Sequence, residues 1–285
     1  MELSFGQKLY FVFLRWISWL LPSWSAARAE ELFLTPVRVP RPSSEESWYQ
    51  SARKFTLANG LAAYEWGPAQ GPLVVLIHGW SGRGTQMGAF AAPLVEKGYR
   101  VVALDGPAHG SSQGHRTNVG DYARSIIRAQ TELGPFAAII AHSFGAGCSV
   151  VAASWGLQVE KLVLIAGPAR YKVVVDDFLK MLKLSPKAQK SFYASLARRV
   201  GMTAEELNVG NIGGRLRVPA LIVHDEGDKE VRFEAALEIR QAWPHAALLK
   251  TTGLGHRRIL KDPQVVQSVA AFIEGATANI TSEIH

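Results

Sequence analysis

Three residues of the chain have the types and the order that nucleophilic catalysis requires: Ser143, then Asp228, then His256. A serine hydroxyl needs a base that removes its proton, and the base needs an acid that orients it. The sequence therefore predicts acyl transfer, in which an activated serine attacks a carbonyl group and leaves a covalent acyl-serine intermediate.

The predicted nucleophile, Ser143, lies in the segment AHSFGAG, between an apolar run and a stretch with helical spacing. A sharp strand-to-helix turn exposes such a serine, but it needs small residues two positions before and after it. Ala141 and Gly145 meet this need, with alanine where glycine is usual. The helix N-terminus that follows also stabilises negative charge beside the hydroxyl.

The acid has rivals in its own segment, VHDEGDKEV, because Asp225 and Glu226 lie closer to the end of the preceding strand. We favour Asp228, since a position further along the loop lets it reach a histidine in a neighbouring loop. Asp225 and Glu226 remain alternatives, and acids at this place also cap the following helix.

The base also has rivals. His78 and His109 precede the serine, which is the wrong chain order for this kind of site. His142 is adjacent to the serine and would point away from it on the turn, and His224 lies at a strand end. His256 alone follows the last strand in a loop between glycine and the start of a helix, and this position favours it.

The negative charge that develops on the attacked carbonyl needs backbone N–H donors. One predicted donor is the N–H of Phe144, directly after the nucleophile, and the other is the N–H of Trp80 in the loop after the run VVLIHG. Gly79, Gly82 and Gly84 allow that loop to approach closely. His142, Ser81 and Tyr171 complete the hypothesis as residues of the substrate pocket.

The elements that must position these residues alternate between strands and helices from residue 53 onward. Asn59-Gly60, between two short strand-like runs, predicts a hairpin. Apolar runs typical of buried parallel strands occupy 72–79, 99–106, 136–143, 161–169, 218–228 and 246–253. Helical patterns lie between them, so the sequence predicts an α/β fold with a mostly parallel sheet, whose carboxyl edge gathers the candidate residues.

One interval, 171–214, breaks this alternation with two helical segments, and Ser185-Pro186 predicts the start of the second. We interpret the interval as a small helical insertion over the sheet. The predicted organisation is therefore an N-terminal helix and connector over 1–52, a core over 53–170 and 215–285, and the insertion over 171–214.

The N-terminal segment 8–22 is the most apolar of the chain, but it is too short to span a membrane. Pro22 is expected to end its helix, and the proline-rich segment 35–47 is expected to be extended. The helix could pack on the protein itself or on a second subunit, could lie on a membrane surface through residues 1–24, or could belong to a signal peptide. The sequence favours packing, then the membrane surface, and the signal peptide least.

The composition of the chain limits which partners, cellular locations and cofactors we expect. The chain carries a net charge of +7, but it has no long basic run or nucleic-acid motif. Its one cysteine, Cys148, allows no intrachain disulfide and fits a reducing compartment, so we expect a cytoplasmic protein, with membrane association through the N-terminal helix left open. No Cys/His cluster has metal-ligand spacing, and we expect no metal and no cofactor.

Five segments in this order, LIHGWSG, ALDGPAHGSS, AHSFGA, HDEGDKEV and GLGHRRIL, resemble the α/β-hydrolase superfamily over roughly residues 53–275. The resemblance implies an eight-stranded sheet with a helical cap inserted after the sixth strand. It also implies a triad of Ser143, Asp228 and His256 and an oxyanion hole at Trp80 and Phe144. Family members with an aspartate nucleophile differ from this chain at Ser143.

The resulting hypothesis is a carboxylesterase-like serine hydrolase that acts on a small-molecule ester. A thioesterase or a C–C bond hydrolase could use the same three residues. A protein of another class, a catalytically silent binding or membrane-associated scaffold, would usually lack one of them. The sequence leaves the acyl group, the alcohol group and the oligomeric state open.

Overall fold

The computed structural model describes residues 5–275 and contains one eight-stranded sheet, in the order β1-β2-β4-β3-β5-β6-β7-β8. Its strands are β1 (Arg53–Thr56), β2 (Ala62–Trp66), β3 (Leu73–Ile77), β4 (Arg100–Leu104), β5 (Phe136–His142), β6 (Leu162–Ile165), β7 (Ala220–Asp225) and β8 (Ala247–Thr251). β2 pairs antiparallel with both β1 and β4, and the strands from β4 through β3 to β8 pair in parallel. The predicted mostly parallel α/β sheet is confirmed.

Helices connect these strands. Those of the sheet unit are α3 (Glu46–Ser51), α4 (Ala91–Glu96), α5 (Val119–Leu133), α6 (Phe144–Ser154), α9 (Val209–Gly213), α10 (Glu234–Ala242), α11 (Gly255–Arg258) and α12 (Pro263–Glu274), with 3-10 turns at Ser43–Glu45 and Gly84–Phe90. The central strands β3, β6 and β7 are buried along their whole length, as apolar runs covered on both faces must be. The hairpin forms between β1 and β2, and its Gly60 takes a positive φ of 82°.

The chain divides into two compact units. The sheet unit takes Pro36–Ala169 and the chain from Val209 onward, and the helical unit takes the chain up to Thr35 together with Arg170–Asn208. The N-terminal segment is thus shared between the units, with the connector after Thr35 in the sheet unit. The short helix α9, at the end of the predicted insertion, packs in the sheet unit on α10 and α6.

The helical unit consists of α1 (Phe5–Leu20), α2 (Pro22–Leu34), α7 (Tyr171–Leu182) and α8 (Pro186–Val200). Pro22 ends α1 as expected, but it also begins α2, because the first turn of a helix tolerates a residue without an N–H. The predicted start of α8 is confirmed, since the Ser185 hydroxyl accepts the N–H of Ala188 and Pro186 follows it.

Two polar contacts and a contact between aromatic rings join the helices of the helical unit. The Ser185 hydroxyl donates to the Ser18 carbonyl at 2.6 Å, and Arg199 forms an ion pair with the buried Glu30 at 2.6 Å. The ring of Phe33 lies 5.0 Å from that of Phe178. Within residues 5–275, no helix is long and apolar enough to cross a membrane.

Candidate active site

Ser143 occupies a sharp turn between β5 and α6, with φ of 52° and ψ of −121°. A positive φ is costly for a residue with a side chain, so the surrounding packing must impose it. The next turn of helix comes very close to β3, because a Cβ on Gly145 would lie only 2.4 Å from the His78 carbonyl oxygen. Ala141 is fully buried inside β5, where its methyl group is accommodated.

His256 places its two ring nitrogens between the serine and an acid. Its Nε2 lies 3.0 Å from the Ser143 Oγ, and its Nδ1 lies 2.7 Å from the Asp228 Oδ2. A carboxylate can only accept, so Nδ1 carries the proton and Nε2 keeps a lone pair for the serine hydroxyl. The three predicted residues therefore lie in one hydrogen-bonded row, with the imidazole in the tautomer that accepts the serine proton.

Asp228 is held by its own loop. Its Oδ1 accepts the N–H groups of Glu230 at 2.8 Å and Val231 at 2.9 Å, and the His224 Nε2 lies 3.4 Å from its Oδ2. Burial alone would raise the pKa of Asp228, but the hydrogen bonds from His224, His256 and Val231 outweigh it and keep that pKa well below its usual range. Asp228 is thus a fixed anion beside the imidazole.

The two rival acids have other contacts. Asp225 accepts the Thr251 hydroxyl at 2.8 Å and the Leu254 N–H at 2.9 Å, and so it joins the end of β7 to the loop that carries the histidine. Glu226 pairs with Lys250 at 3.1 Å near the surface. Asp225 therefore positions the loop, whereas Asp228 alone of the three contacts the ring of His256.

His142, predicted as a pocket residue, is buried behind His256. Its Nε2 donates to the His256 backbone carbonyl at 2.9 Å, and the two rings lie 4.6 Å apart. Burial, and then the nearby His256, lower the pKa of His142 to about 3, so the ring is neutral at pH 7. In this position it braces the loop of His256 from the strand that ends at the serine.

The loop after β3 approaches the serine closely, because a Cβ on Gly79 would lie 2.9 Å from the Ser143 Cβ. The rings of Trp80 and Phe144 meet edge to face at 5.0 Å. The structure therefore brings together the two residues predicted to supply oxyanion N–H groups, while that role of their amides stays a prediction. Ser81 has a positive φ of 56°, and its hydroxyl accepts the Val37 N–H at 3.0 Å.

Two residues that support the loops after β3 and β4 were not predicted in these roles. The His78 Nδ1 donates to the Gly79 carbonyl at 2.6 Å, and its Nε2 accepts the Gly106 N–H at 2.9 Å, so the ring links two strand ends. Arg38 donates to the carbonyls of four residues in the loop after β4, which are Ala108, Gly110, Ser112 and Gly114. The position of His78 at a strand end could have indicated its role. Nothing in the sequence around Arg38 indicates that it binds the loop after β4.

Tyr171, the third predicted pocket residue, begins α7 in the helical unit, where its N–H donates to the Leu207 carbonyl at 3.1 Å. Its pocket role stays a prediction. Among residues 5–275, no three His, Cys, Asp or Glu side chains are gathered as a metal site would require. The row Asp228–His256–Ser143 is suited to moving one proton off a hydroxyl and delivering it to a leaving group.

Two sequence matches relate the chain to known proteins. A sequence model described as the alpha/beta hydrolase family matches residues 74–268. A serine hydrolase-like protein of Dictyostelium discoideum is 33% identical over 113 residues, which cover 37% of this chain and 31% of that relative. The match thus spans about a third of the relative's length.

Among solved structures, the thioesterase domain from the curacin biosynthetic pathway superposes with a TM-score of 0.58 at 21% identity, covering 78% of this chain and 99% of that domain. A bacterial membrane phospholipase A superposes with a TM-score of 0.64 at 17% identity, covering 96% of this chain and 98% of that one. At these identities the likeness concerns the fold.

Proposed function

The chain belongs to the alpha/beta hydrolase family, and from that premise we propose that it hydrolyses carboxylic esters through an acyl-enzyme intermediate on Ser143. The observation that carries the proposal is the continuous row of hydrogen bonds, 3.0 Å from Ser143 to His256 and 2.7 Å from His256 to Asp228. An ordered row of this kind, in which the acid and the base are buried, is the arrangement that activates a serine hydroxyl.

The first half-reaction forms the acyl-enzyme. The Nε2 of His256 accepts the Ser143 proton while Oγ attacks the ester carbonyl, and the carbonyl electron pair moves onto oxygen. The backbone N–H groups of Trp80 and Phe144 would stabilise that oxyanion. When the tetrahedral intermediate collapses, the C–O bond to the alcohol breaks and His256 returns the proton to the departing alcohol.

The second half-reaction regenerates the serine. His256 removes a proton from water, the hydroxide attacks the acyl carbon, and the acid leaves as Oγ takes the proton back. Asp228 stays ionised throughout, because hydrogen bonds keep its pKa low, and it stabilises the imidazolium that forms in both steps. The chemistry needs no group beyond the substrate and water.

Thioesters are a second acyl class for the same residues, and the structural likeness to a thioesterase domain favours testing them. The membrane phospholipase A aligns with nearly the whole chain, so lipid esters also belong among the candidate substrates. Pairs of esters and thioesters with the same acyl chain, ordered by chain length, would separate these classes.

Active-site labelling tests the proposal. A fluorophosphonate should modify Ser143 in the wild type, and Ser143→Ala should abolish labelling and lower ester hydrolysis by roughly 10⁴-fold or more. Ser154→Ala, at the end of the same helix α6, is the matched control and should label normally. A folded protein that is labelled elsewhere, or that hydrolyses esters after Ser143→Ala, would contradict the proposal.

We also propose a cytoplasmic location. Cys148 is buried, and the chain has no second cysteine, so the fold depends on no intrachain disulfide. Fractionation of cells should recover the protein with cytoplasmic markers or on the cytoplasmic face of a membrane, and recovery from an exported fraction would contradict this.

A further inference from the structure

Helix α1 turns its most apolar face outward. The exposed fractions are 67% for Trp16, 66% for Trp19 and 77% for Leu20. Large apolar side chains are rarely this exposed side by side on one surface. We call this face the apolar stripe, and its members recur every three or four residues: Leu9, Val12, Phe13, Trp16, Trp19 and Leu20. Such spacing places them along one side of the helix.

The opposite side of α1 packs within the helical unit. Leu14 and Ser18 are fully buried there, and the Ser18 Oγ accepts the Ser185 N–H at 2.8 Å while Ser185 donates to the Ser18 carbonyl. An amphipathic helix on a water-soluble body normally buries its apolar side. In α1 a serine is buried and the tryptophans are exposed, so packing inside the unit does not account for the apolar stripe.

The charges favour one kind of surface for the apolar stripe. The chain carries a net charge of +7, and residues 170–208 of the helical unit alone hold eight Lys or Arg residues against four Asp or Glu residues. A second copy of the chain would bring the same positive charge, whereas anionic lipid headgroups would attract it. Tryptophan is also the side chain best suited to the boundary between headgroups and acyl chains.

We propose that the apolar stripe of α1 docks the protein on an anionic membrane surface, with the helix lying along the membrane. Trp16, Trp19 and Leu20 would enter the headgroup boundary while Leu14 and Ser18 keep α1 attached to the helical unit. The proposal concerns binding alone and does not depend on the hydrolysis proposed above.

Sedimentation with lipid vesicles tests the docking directly. The full-length protein should sediment with vesicles of phosphatidylcholine that contain roughly one quarter phosphatidylglycerol, and less with vesicles of phosphatidylcholine alone. Leu20→Glu should lower the bound fraction at limiting lipid about tenfold, because it places a charge in the apolar boundary. Trp16→Ser combined with Trp19→Ser should have an effect in the same direction.

The matched control is Leu237→Glu, since Leu237 is an exposed leucine on α10 of the sheet unit and should bind like the wild type. Circular dichroism and thermal unfolding verify that each variant is folded. The proposal is overturned if folded wild type binds neither vesicle, or if Leu20→Glu binds as well as Leu237→Glu. It is equally overturned if the wild type is a dimer in solution that Leu20→Glu dissociates and that binds no vesicles.

Discussion

At the edge of the sheet where β5, β7 and β8 end, polar side chains are buried and hydrogen-bonded to one another. On helix α1 the reverse holds, since a serine is buried and tryptophans are exposed. The first region fixes distances of 2.7 Å and 3.0 Å around one imidazole, which suits proton transfer. The second offers an exposed apolar surface along a helix, which suits adhesion to a lipid surface. One region thus fixes polar groups at short distances, and the other presents apolar side chains to its surroundings.

Asp228→Asn should produce the largest effect at the sheet edge. The amide keeps the shape of the side chain but cannot hold the His256 imidazole in the productive tautomer or stabilise its charged form. We expect kcat to fall by about 10³–10⁴-fold, with little change in KM, as measured by ester hydrolysis. An Asp228→Asn protein with wild-type kcat would show that another group orients the base.

Asp225→Asn tests whether Asp225 has a different role from the neighbouring Asp228. Asp225 accepts bonds from Thr251, Gly227 and Leu254 but does not contact the imidazole, so its loss should mainly destabilise the fold. We expect the free energy of unfolding in urea to fall by about 2–3 kcal/mol, while kcat falls far less than in Asp228→Asn. Catalysis lost equally in both variants would contradict the assignment of roles.

Acid should weaken the sheet unit through its buried histidines. The pKa of His142 is lowered to about 3 and that of His78 to about 4, both mainly by burial, so the unfolded chain binds protons more readily than the folded one. The stability that these neutral histidines contribute is therefore fully present above their unfolded pKa of about 6.5. It is lost as the pH falls towards their folded pKa values. Between pH 7 and 5, each histidine should cost about 2 kcal/mol.

Urea titrations at several pH values measure this loss. In His142→Gln the free energy of unfolding should depend less steeply on pH, by the contribution of one histidine. The helical unit should not contribute to this loss through histidine, because residues 1–35 and 170–208 contain none. An unfolding free energy that stays constant from pH 7 to pH 5 would contradict the buried neutral state of these rings.

Ser185→Ala should have the smallest effect, and it falls on the helical unit. The substitution removes the cap of α8 and the bond to the Ser18 carbonyl, so we expect a loss of about 1 kcal/mol in unfolding free energy. Ester hydrolysis should remain near wild type with a water-soluble substrate. A large loss of hydrolysis in a folded Ser185→Ala protein would show that the helical unit takes part in the chemistry.

Much of the sheet edge was predictable because its information is local. Ser143, Asp228 and His256 each follow an apolar run, and parallel strands bring their carboxyl ends to one edge. Asp225 and Asp228 could be ranked only by loop reach, and their distinct roles became visible through their hydrogen bonds. The neutral bracing role of His142 was missed, because adjacency to the serine does not reveal which group the ring faces.

The helical unit was harder to predict because its contacts are distant in sequence. The sequence predicts Pro22 as the end of a helix but does not reveal its second role, as the first residue of α2. Ser18 meets Ser185 and Glu30 meets Arg199 across more than 160 residues, a pairing that no local pattern encodes. The same applies to Arg38, whose four bonds to the loop after β4 depend on the path of the connector.

The most direct test of the account is to trap the acyl-enzyme. The protein is mixed with an ester, quenched in acid within the first turnover, digested and analysed by mass spectrometry. An acyl group should appear on the peptide that contains Ser143, accumulate before steady state and disappear on deacylation. Ester turnover with no acylated peptide, or with the acyl group on another residue, would contradict it.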